Sequence, residues 1–232
     1  MKVGLLSDIH GNADALLAVL SAARREMVES LIIAGDFVGY YYAIDRVLEI
    51  LQGWPFSAVR GNHEDMLQAW LSGGDRAAIK GKYGSALEEA VRRLPRESIE
   101  WLLALPRNRA VVVDGKRCYI CHGSPRATDE YIYPDALKEK SDILFEQNAD
   151  LVVFGHTHRP LIWSRSGTIV VNPGSVGQPR DYQPGACWAL WDTASHSVEL
   201  RRESYDMQPV LAEAMARDPE LDYLVNVLTR VK

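Results

Sequence analysis

The 232-residue chain lacks the features that mark several protein classes. It has three cysteines, too few for a disulfide framework, and this usage fits a reducing compartment. No apolar run approaches the roughly 18 residues that a transmembrane helix needs. The apolar start of the chain is broken by Asp8 and His10, too early for the apolar core of a signal peptide. We therefore expect a cytoplasmic protein that has no membrane partner.

A surplus of basic residues is also missing. The chain has 26 Lys and Arg against 31 Asp and Glu, a net charge of −5, so we expect no stable binding of nucleic acid. Short arginine runs such as Arg201-Arg202 are interpreted as solvated faces rather than as a DNA-binding patch. With 47% hydrophobic and 25% charged residues, the composition is that of a globular protein. No linker divides the chain, and we expect a single domain over residues 1–232.

Short apolar runs alternate with helical patterns in the first part of the chain. The runs at residues 3–6, 31–34 and 56–59 predict buried strands, and helical spacing follows at residues 12–25, at 44–51 and from Glu64 onward. Such alternation predicts right-handed crossovers and a parallel sheet. Later in the chain, Asp114-Gly115 predicts a hairpin turn between residues 111–113 and 118–121. Turn residues also separate short strands at 151–154, 161–163, 169–171, 186–191 and 198–200, so we expect two β-sheets with helices packed outside them.

The C-terminal segment, from about residue 205 to 232, has a helical pattern. Asp218, Pro219 and Glu220 form a typical helix start, with a capping Asp and a Pro in the first turn. We interpret the segment as a helix docked on the body of the protein, and self-association into a homo-oligomer is the alternative. The apolar stripe of this helix consists of Leu221, Leu224, Val225 and Leu228.

Polar residues cluster in short glycine-flanked segments directly after the predicted strands. Five of the 6 histidines lie in such segments, and Asp36 has the same placement in another. Because loops at the carboxyl ends of parallel strands converge on one crevice, one sheet edge can gather these side chains. A side-chain period of two would put Asp8 with His10 on one face, and likewise His156 with His158 unless that loop bends. The segments are residues 7–12 (SDIHGN), 34–39 (AGDFVG), 60–64 (RGNHE), 121–124 (CHGS) and 155–158 (GHTH).

These side chains suit the binding of metal ions. They are imidazoles and carboxylates, with Cys121 as the one thiol, and they favour Mn, Fe, Zn, Co or Ni over a structural cysteine–zinc site. The donors outnumber those that one ion needs, so we expect two divalent ions, with manganese as the first expectation. A shared carboxylate would hold the ions about 3.5–4 Å apart, the usual spacing for attack on phosphorus. His196 lies outside the segments and is given no role.

Taken together, the motifs resemble those of the calcineurin-like metallophosphoesterases, over about residues 1–203. The similarity is greatest to the small prokaryotic phosphodiesterase-like branch, which shares sequence like HGSP at 122–125 and NPGS at 172–175. The resemblance implies an α/β fold, a four-layer α/β/β/α sandwich of two mixed sheets. It also implies metal-dependent hydrolysis of phosphodiesters or phosphomonoesters of small nucleotide-like substrates. The motifs are Asp8-x-His10, Gly35-Asp36-x-x-Gly39, Gly61-Asn62-His63-Glu64, His122-Gly123 and Gly155-His156-x-His158.

The resemblance also assigns the site residues. One ion would be held by Asp8, His10, Asp36 and His158, and the other by Asp36, Asn62, His122 and His156, so that Asp36 bridges them. A hydroxide bridging the two ions would attack phosphorus in line. Asn62 and His63 are the catalytic candidates, and His63 is free to protonate the leaving alkoxide because it is not a ligand. Glu64 is expected either to orient His63 or to cap the helix that follows.

Several residues near the segments have two interpretations. Arg60, Arg126 and Arg180 are candidates for binding a phosphate oxygen, and a surface salt bridge is the alternative for each. The tyrosines at 40–42 either stack on a base or pack in the core. Residues 118–122 (CYICH) match the pattern of covalent haem attachment, but we interpret them as a buried strand that runs into a loop. Substrate specificity is expected from residues 67–97 and 124–133.

The motifs also separate competing functions. The protein serine/threonine phosphatases of this superfamily carry Asp-Arg-Gly after the second motif, whereas this chain has Gly39-Tyr40-Tyr41, which disfavours that activity. No predicted ligand is missing and His63 is present, which favours an enzyme over a metal-binding scaffold such as the retromer subunit of the superfamily. A cleaver of dinucleoside polyphosphates is the alternative substrate class, and a phosphate sensor without turnover is a further alternative.

Overall fold

The first of two five-stranded sheets is built from both ends of the chain. The computed structural model describes residues 1–136 and 138–231. The strands and connecting helices of this sheet are β1 (Lys2–Leu6), α1 (Ala13–Arg25), β2 (Ser30–Ala34), α2 (Ile44–Leu51), β3 (Phe56–Val59), β9 (Ala186–Asp192) and β10 (Ser197–Glu203). The strand order is β10-β9-β1-β2-β3. Strands β1, β2 and β3 are parallel, and β9 pairs antiparallel with both β1 and β10. The predicted β-α-β-α-β alternation is confirmed.

The second sheet comes from the middle of the chain. Its strands are β4 (Asn108–Val113), β5 (Lys116–Cys121), β6 (Leu151–Val153), β7 (Leu161–Arg165) and β8 (Thr168–Asn172). The order is β4-β5-β6-β8-β7, and β5, β6 and β8 run parallel. The predicted hairpin is present and joins β4 to β5. Its turn residues, Asp114 and Gly115, have φ angles of 51° and 77°, the positive values that a two-residue type I′ turn requires.

Alternate residues of each strand face different layers. In β2, Ile32 and Ala34 point between the sheets, whereas Leu31 and Ile33 point toward the outer helices. The outer face of the first sheet is covered by α1, α2, α3 (Asn62–Leu71), α5 (Ala86–Arg93) and α6 (Arg96–Ala104). The outer face of the second sheet is covered by α7 (Lys138–Phe145), from which Leu144 is buried. The expected four-layer α/β/β/α sandwich is confirmed.

The cysteines of the haem-like pattern lie on opposite faces of β5. Cys118 is buried between the two sheets, and Cys121 is buried on the outer side. Two thiols on opposite faces of a sheet cannot attach to one haem, so the interpretation as a buried strand is correct. Burial raises the pKa of both thiols, to about 12 for Cys118 and further for Cys121.

The C-terminal segment is helical, but one predicted boundary is wrong. Its helices are α8 (Gln208–Arg217) and α9 (Tyr223–Thr229), so Asp218 ends one helix instead of starting the next. The Asp218 carboxylate accepts hydrogen bonds from the Tyr42 hydroxyl at 2.6 Å and from Ser85 N at 2.9 Å. These distant partners override the local Asp-Pro-Glu pattern. Lys232, the last residue of the predicted segment, lies outside the described residues.

Docking of the C-terminal segment on the body of the protein is confirmed. Apolar side chains of α8 and α9 pack against Tyr40, Tyr41 and Tyr42 and against Ala86. The remaining helix, α4 (Arg76–Tyr83), has no buried residue. In the part of the chain that the structure describes, no helix combines the length and apolarity that crossing a membrane would require.

Candidate metal centre and active site

Five loops meet at one end of the two sheets. Three of them follow β1, β2 and β3, and the other two follow β5 and β6. The expectation of one sheet edge is therefore incomplete, because the predicted donors come from two sheets packed face to face. Backbone hydrogen bonds join neighbouring loops: Gly155 N donates to His122 O at 2.7 Å, and Asp8 N donates to Gly35 O at 3.1 Å.

Asp8 and His10 reach the centre in a different way from the one predicted. Strand β1 ends before them, and their φ angles of 55° and 51° lie in the left-handed region. The period-two argument is therefore wrong for this pair. His156 and His158 have the same left-handed conformation, with φ angles of 66° and 56°. The backbone N–H of His10 donates to Asp36 O, in the loop after β2, at 2.9 Å. The turn at His10 is therefore stabilised by a neighbouring loop rather than by its own residues.

Three imidazoles turn their Nε2 atoms toward the centre. The Nδ1 atoms of His10, His122 and His158 face backbone carbonyl oxygens at 3.0, 2.5 and 2.6 Å. A carbonyl only accepts, so Nδ1 carries a proton, and Nε2 presents a lone pair whenever the ring is neutral. Burial lowers the pKa of His10 and His158, which favours the neutral rings, whereas the charges of Asp36 and Asp8 outweigh burial at His122 and raise its pKa to about 10. The Nε2 atoms of His10 and His158 lie 3.1 Å apart. Two lone pairs at this distance repel unless a proton or a cation lies between them, and carbonyl-bound rings of this kind are typical of metal-ligating histidines.

The two central carboxylates each have one oxygen fixed by the backbone and one near the imidazoles. Asp8 Oδ2 accepts from His156 N at 3.1 Å. The buried Asp8 Oδ1 has no hydrogen-bond partner within the described ranges and lies 3.2 Å from His158 Nε2. Asp36 Oδ1 accepts from His63 N at 2.8 Å, and its Oδ2 lies 3.2 Å from a histidine Nε2. Burial alone would raise the pKa of both carboxyl groups, but the adjacent imidazoles outweigh it and hold both well below the usual range.

The donor set fits a metal cation. Asn62 Oδ1 lies 3.1 Å from His122 Nε2, so a further oxygen joins the imidazole nitrogens and carboxylate oxygens. Lone pairs and negative charges that converge in this way are what a divalent cation needs. Among the described residues, the groups whose donor atoms all lie within 4.8 Å of one another are Asp8-His10-His158, Asp8-Asp36-His122 and His10-Asp36-His63.

His156 stands apart from these groups. Its Nε2 lies 3.0 Å from Asp129 O, so Nδ1 is the ring atom left to bind a cation. The ring packs against His122 and Tyr131, with centroids 5.3 and 4.1 Å away. Burial lowers the pKa of His156 to about 4, which keeps the ring neutral at pH 7. Its role as a ligand stays a prediction.

His63, the predicted proton donor, lies against the cluster at the start of α3. Its ring is centred 4.7 Å from the rings of His10 and Tyr40 and 5.1 Å from that of Tyr83. Its Nδ1 is buried and has no hydrogen-bond partner among the described residues. Burial lowers the pKa of His63 to about 4.

Glu64 links two loops and caps α3. Its buried carboxylate accepts hydrogen bonds from the backbone N–H groups of Gly61 at 2.7 Å, Asp36 at 3.0 Å and Phe37 at 2.8 Å. In the described part of the chain it forms no hydrogen bond with the His63 ring. Of its two predicted roles, capping is therefore correct and orienting His63 is wrong.

The three candidate arginines lie in different places. Arg180 lines the cavity at the cluster, where its Nη2 donates to Gln178 Oε1 and to the Tyr40 hydroxyl, both at 2.9 Å. Arg126 lines a neighbouring groove. Arg60 forms an ion pair at 3.1 Å with a carboxylate of α3, the kind of contact that its salt-bridge interpretation describes. The roles of all three arginines in phosphate binding stay predictions.

A tight cavity opens onto the cluster, and a larger groove adjoins it. The cavity volume is about 20 Å³ and that of the groove about 490 Å³, and both are lined by Asn62 and Tyr83. The cavity has room for little more than a reacting group, so the rest of a substrate would lie in the groove. The cavity is lined by Asp36, Tyr40, Asn62, His63, Tyr83, Tyr131, His156, His158 and Arg180.

Two kinds of residue at the site could not be identified individually from the sequence. Tyr83 and Tyr131 fall within the segments expected to set specificity, but no pattern marks them as individuals. Gln178 is fully buried and its side-chain oxygen accepts from Arg180, yet it lies just beyond the NPGS motif. The NPGS motif at 172–175 could have drawn attention to this region, because its Ser175 Oγ donates to Asp8 O at 2.7 Å and so supports the first loop. The motif does not indicate Gln178 itself.

The fold and the donor cluster together define an α/β sandwich protein with a candidate metal centre, and comparison with known proteins gives the family. The chain belongs to the calcineurin-like phosphoesterase superfamily, whose domain model matches residues 1–196. The resemblance inferred from the motifs is confirmed. Members of this family are metal-dependent, in agreement with the donor set.

Relatives and solved structures match nearly the whole chain. The uncharacterized protein MJ0912 of Methanocaldococcus jannaschii is 28% identical, covering 89% of this chain and 88% of that protein. Phosphodiesterase YfcE of Escherichia coli K12 is 24% identical, covering 88% and 95%. The crystal structure of a metallophosphoesterase from Sphaerobacter thermophilus superposes with a TM-score of 0.82 at 28% identity, covering 99% of this chain and 98% of that one.

Proposed function

We propose that this protein is a metal-dependent phosphoesterase that hydrolyses phosphodiester or phosphomonoester bonds of small nucleotide-like substrates. Membership of the superfamily supports the reaction class, and a relative at 24% identity is named a phosphodiesterase. The cluster of imidazoles and carboxylates supports metal dependence. The nucleotide-like part, and the alternative of dinucleoside polyphosphates, rest on the resemblance of the motifs alone.

One observation carries this proposal: a guanidinium and the predicted cation cluster face the same cavity. Arg180 lines it together with Asp36 and His158, and its hydrogen-bond acceptors are neutral groups. Cations in the cluster would repel the guanidinium unless an anion lay between them. A phosphate group suits this position, because some of its oxygens would meet the cluster while others accept from Arg180.

The proposed ligands follow the two sets inferred from the motifs. Asp8, His10, Asp36 and His158 would hold one cation, and Asp36, Asn62, His122 and His156 the other. When bound, such ions would make hydroxide available near neutral pH and offset the charge that builds up on phosphate. Manganese is proposed first, and iron, zinc, nickel and cobalt suit the same donors.

His63 is proposed to give a proton to the leaving oxygen. Its ring lines the cavity, and its Nδ1 has no competing partner in the described structure. Burial lowers its pKa to about 4, but a bound phosphate would raise that pKa, because a nearby negative charge favours the protonated ring. Tyr83 contacts His63 and also lines the groove, which supports a position for the leaving group in the groove beside Arg126.

Hydrolysis of bis-p-nitrophenyl phosphate by chelator-treated protein, with and without added Mn²⁺, tests this function. We expect turnover with the metal only, and we expect Arg180→Gln to raise KM roughly tenfold. Two Mn²⁺ ions bound per chain without turnover of this diester or of p-nitrophenyl phosphate would contradict the proposal and favour a scaffold. Tight binding of inorganic phosphate without turnover would instead identify a sensor.

A further inference from the structure

The C-terminal segment reaches the residues that hold Arg180. The segment, defined as α8, α9 and the turn between them, lies beyond residues 1–196, the part that the family model matches. The carbonyl oxygen of Leu224 in α9 accepts a hydrogen bond from the Tyr41 hydroxyl at 2.9 Å. The hydroxyl of Tyr223 donates to Gln178 Oε1 at 3.3 Å. Tyr41 and Gln178 are both buried, so these contacts run inside the protein.

The direction of these bonds sets the orientation of the Gln178 amide. The Tyr41 hydroxyl proton is used for the Leu224 carbonyl, so its oxygen is left to accept, and Gln178 Nε2 lies 3.5 Å from it. The amide oxygen therefore points the other way, toward Arg180, whose Nε and Nη2 donate to it at 3.3 and 2.9 Å. An amide turned round would set its own N–H groups against a guanidinium, which only donates.

The same bonds fix the guanidinium without neutralising it. Arg180 lies over the ring of Tyr40, 5.5 Å from its centroid, and donates to the Tyr40 hydroxyl at 2.9 Å. Tyr40 packs in turn against His10 and His63, with ring centroids 4.7 Å away. Because the partners of Arg180 are an amide, a hydroxyl and an aromatic ring, its direction is set while its positive charge stays available to an anion.

The C-terminal segment is itself firmly attached. Asp218, in the turn between α8 and α9, accepts hydrogen bonds from Tyr42 and from both the amide and the hydroxyl of Ser85. Apolar residues of α8 and α9 cover the tyrosine loop from outside. The acceptor at Leu224 O therefore has a fixed position from which the chain of bonds to Arg180 can start.

We propose that the C-terminal segment positions Arg180 for the phosphate of the substrate, acting through Tyr41, Tyr223 and Gln178. This inference rests on the phosphate-binding role of Arg180 proposed above. It makes Gln178 a positioning residue and gives the segment a part in the site that the family motifs do not include. Its effect is on substrate affinity rather than on metal binding.

Single-group substitutions test this chain of bonds. Gln178→Met removes the acceptor and keeps the length of the side chain. Tyr41→Phe removes the link to α9, and Tyr223→Phe removes the second hydroxyl bonded to Gln178, on a residue that is 41% exposed. With Mn²⁺ present, we expect the calorimetric Kd of inorganic phosphate and the KM for bis-p-nitrophenyl phosphate to rise about 3- to 10-fold for Gln178→Met, no more than for Arg180→Gln, and about threefold for each tyrosine variant. Metal content and kcat should stay within about twofold, a split that a merely structural loss would not give.

A double variant and a matched control complete the design. Because Gln178 acts through Arg180, the double variant Gln178→Met/Arg180→Gln should bind phosphate no more weakly than Arg180→Gln alone. Tyr205→Phe is the control, since this hydroxyl accepts from Asn12 at 2.9 Å and has no bond to Gln178 or Arg180, and it should leave phosphate binding unchanged.

Wild-type phosphate affinity in Gln178→Met and in both tyrosine variants would overturn the inference, and so would additive losses in the double variant. The outcomes also separate this inference from the proposed function. If the wild type hydrolyses no ester but phosphate binding responds as expected, the proposed function is wrong and the positioning role stands. If hydrolysis depends on Mn²⁺ but Gln178→Met leaves the Kd of phosphate unchanged, the positioning role is wrong and the function stands.

Discussion

Gly61 is the position at which one added methyl group tests the geometry of the site most directly. An alanine Cβ at Gly61 would lie 2.1 Å from Asp36 Oδ1 and 2.8 Å from Asp36 Cγ. The φ angle of Gly61 is −104°, which any residue adopts, so the effect would be steric alone. The carboxylate would have to move by about 1 Å. Such a shift breaks the 2.8 Å hydrogen bond from His63 N and displaces the oxygen that faces the imidazoles.

We expect Gly61→Ala to lower the free energy of unfolding by roughly 2–5 kcal/mol. Overpacking contributes about 1–3 kcal/mol, and a buried N–H left without its acceptor contributes about 1–2 kcal/mol. For a chain of this length the melting temperature should fall by roughly 5–20 °C. Urea and thermal unfolding of the metal-free protein measure both quantities. In calorimetry, the affinity for Mn²⁺ should fall about 10- to 100-fold, because the methyl group misplaces a predicted ligand.

Gly53→Ala is the matched control for this substitution. A Cβ at Gly53 would meet only Ile50 O, at an ordinary contact distance of 3.8 Å. We expect its free energy of unfolding to stay within about 0.5 kcal/mol of the wild type. If Gly61→Ala matched this control in both unfolding and Mn²⁺ affinity, the position of Asp36 would not be fixed by close packing, and the argument would be refuted.

Three further substitutions, the last with a matched control, test other parts of the structure. Asp36→Ala should abolish binding of both metal ions, as counted by elemental analysis after gel filtration, and retention of two ions per chain would contradict the ligand scheme. His63→Ala should keep the metals but slow the hydrolysis of esters with poor leaving groups more than that of p-nitrophenyl esters, and an equal loss would argue against proton donation. Asp218→Ala should lower the free energy of unfolding by about 2–4 kcal/mol, because the Tyr42 hydroxyl and a backbone amide lose their acceptor. Asp222→Ala, at an exposed helix start without a side-chain capping bond, should change it by less than about 0.5 kcal/mol in the same urea titration.

Local patterns were enough to predict elements whose ends are set by neighbouring residues. Helix α2 (Ile44–Leu51) and strand β3 (Phe56–Val59) have the predicted bounds, because Gly53 and Pro55 interrupt the chain between two apolar patterns. Asp218 is the counter-example. Its local sequence predicts a helix start, but its partner Tyr42 is 176 residues away, and no sequence window contains such a contact.

The types of donor at the site could be predicted, whereas their supports could not. Histidines and aspartates beside glycines mark the loops directly in the sequence. The role of Glu64 depends on the loop after β2, since its carboxylate binds the amides of Asp36 and Phe37. Gln178 depends on Tyr41 and on α9 in the same way. Each of these residues joins segments far apart in the chain, so only the folded structure shows its partner.

The left-handed conformation of the donors explains how residues two apart in sequence reach one centre. Among the described residues, 12 other than glycine have positive φ angles, and they include five of the predicted ligands: Asp8, His10, Asp36, His156 and His158. Asp and His tolerate this conformation better than branched residues do, at a cost on the order of 1 kcal/mol each. Backbone hydrogen bonds between loops offset that cost, such as Asp8 N to Gly35 O at 3.1 Å. The strained turns therefore hold the imidazoles and carboxylates together before any cation binds, and little rearrangement is needed when one does.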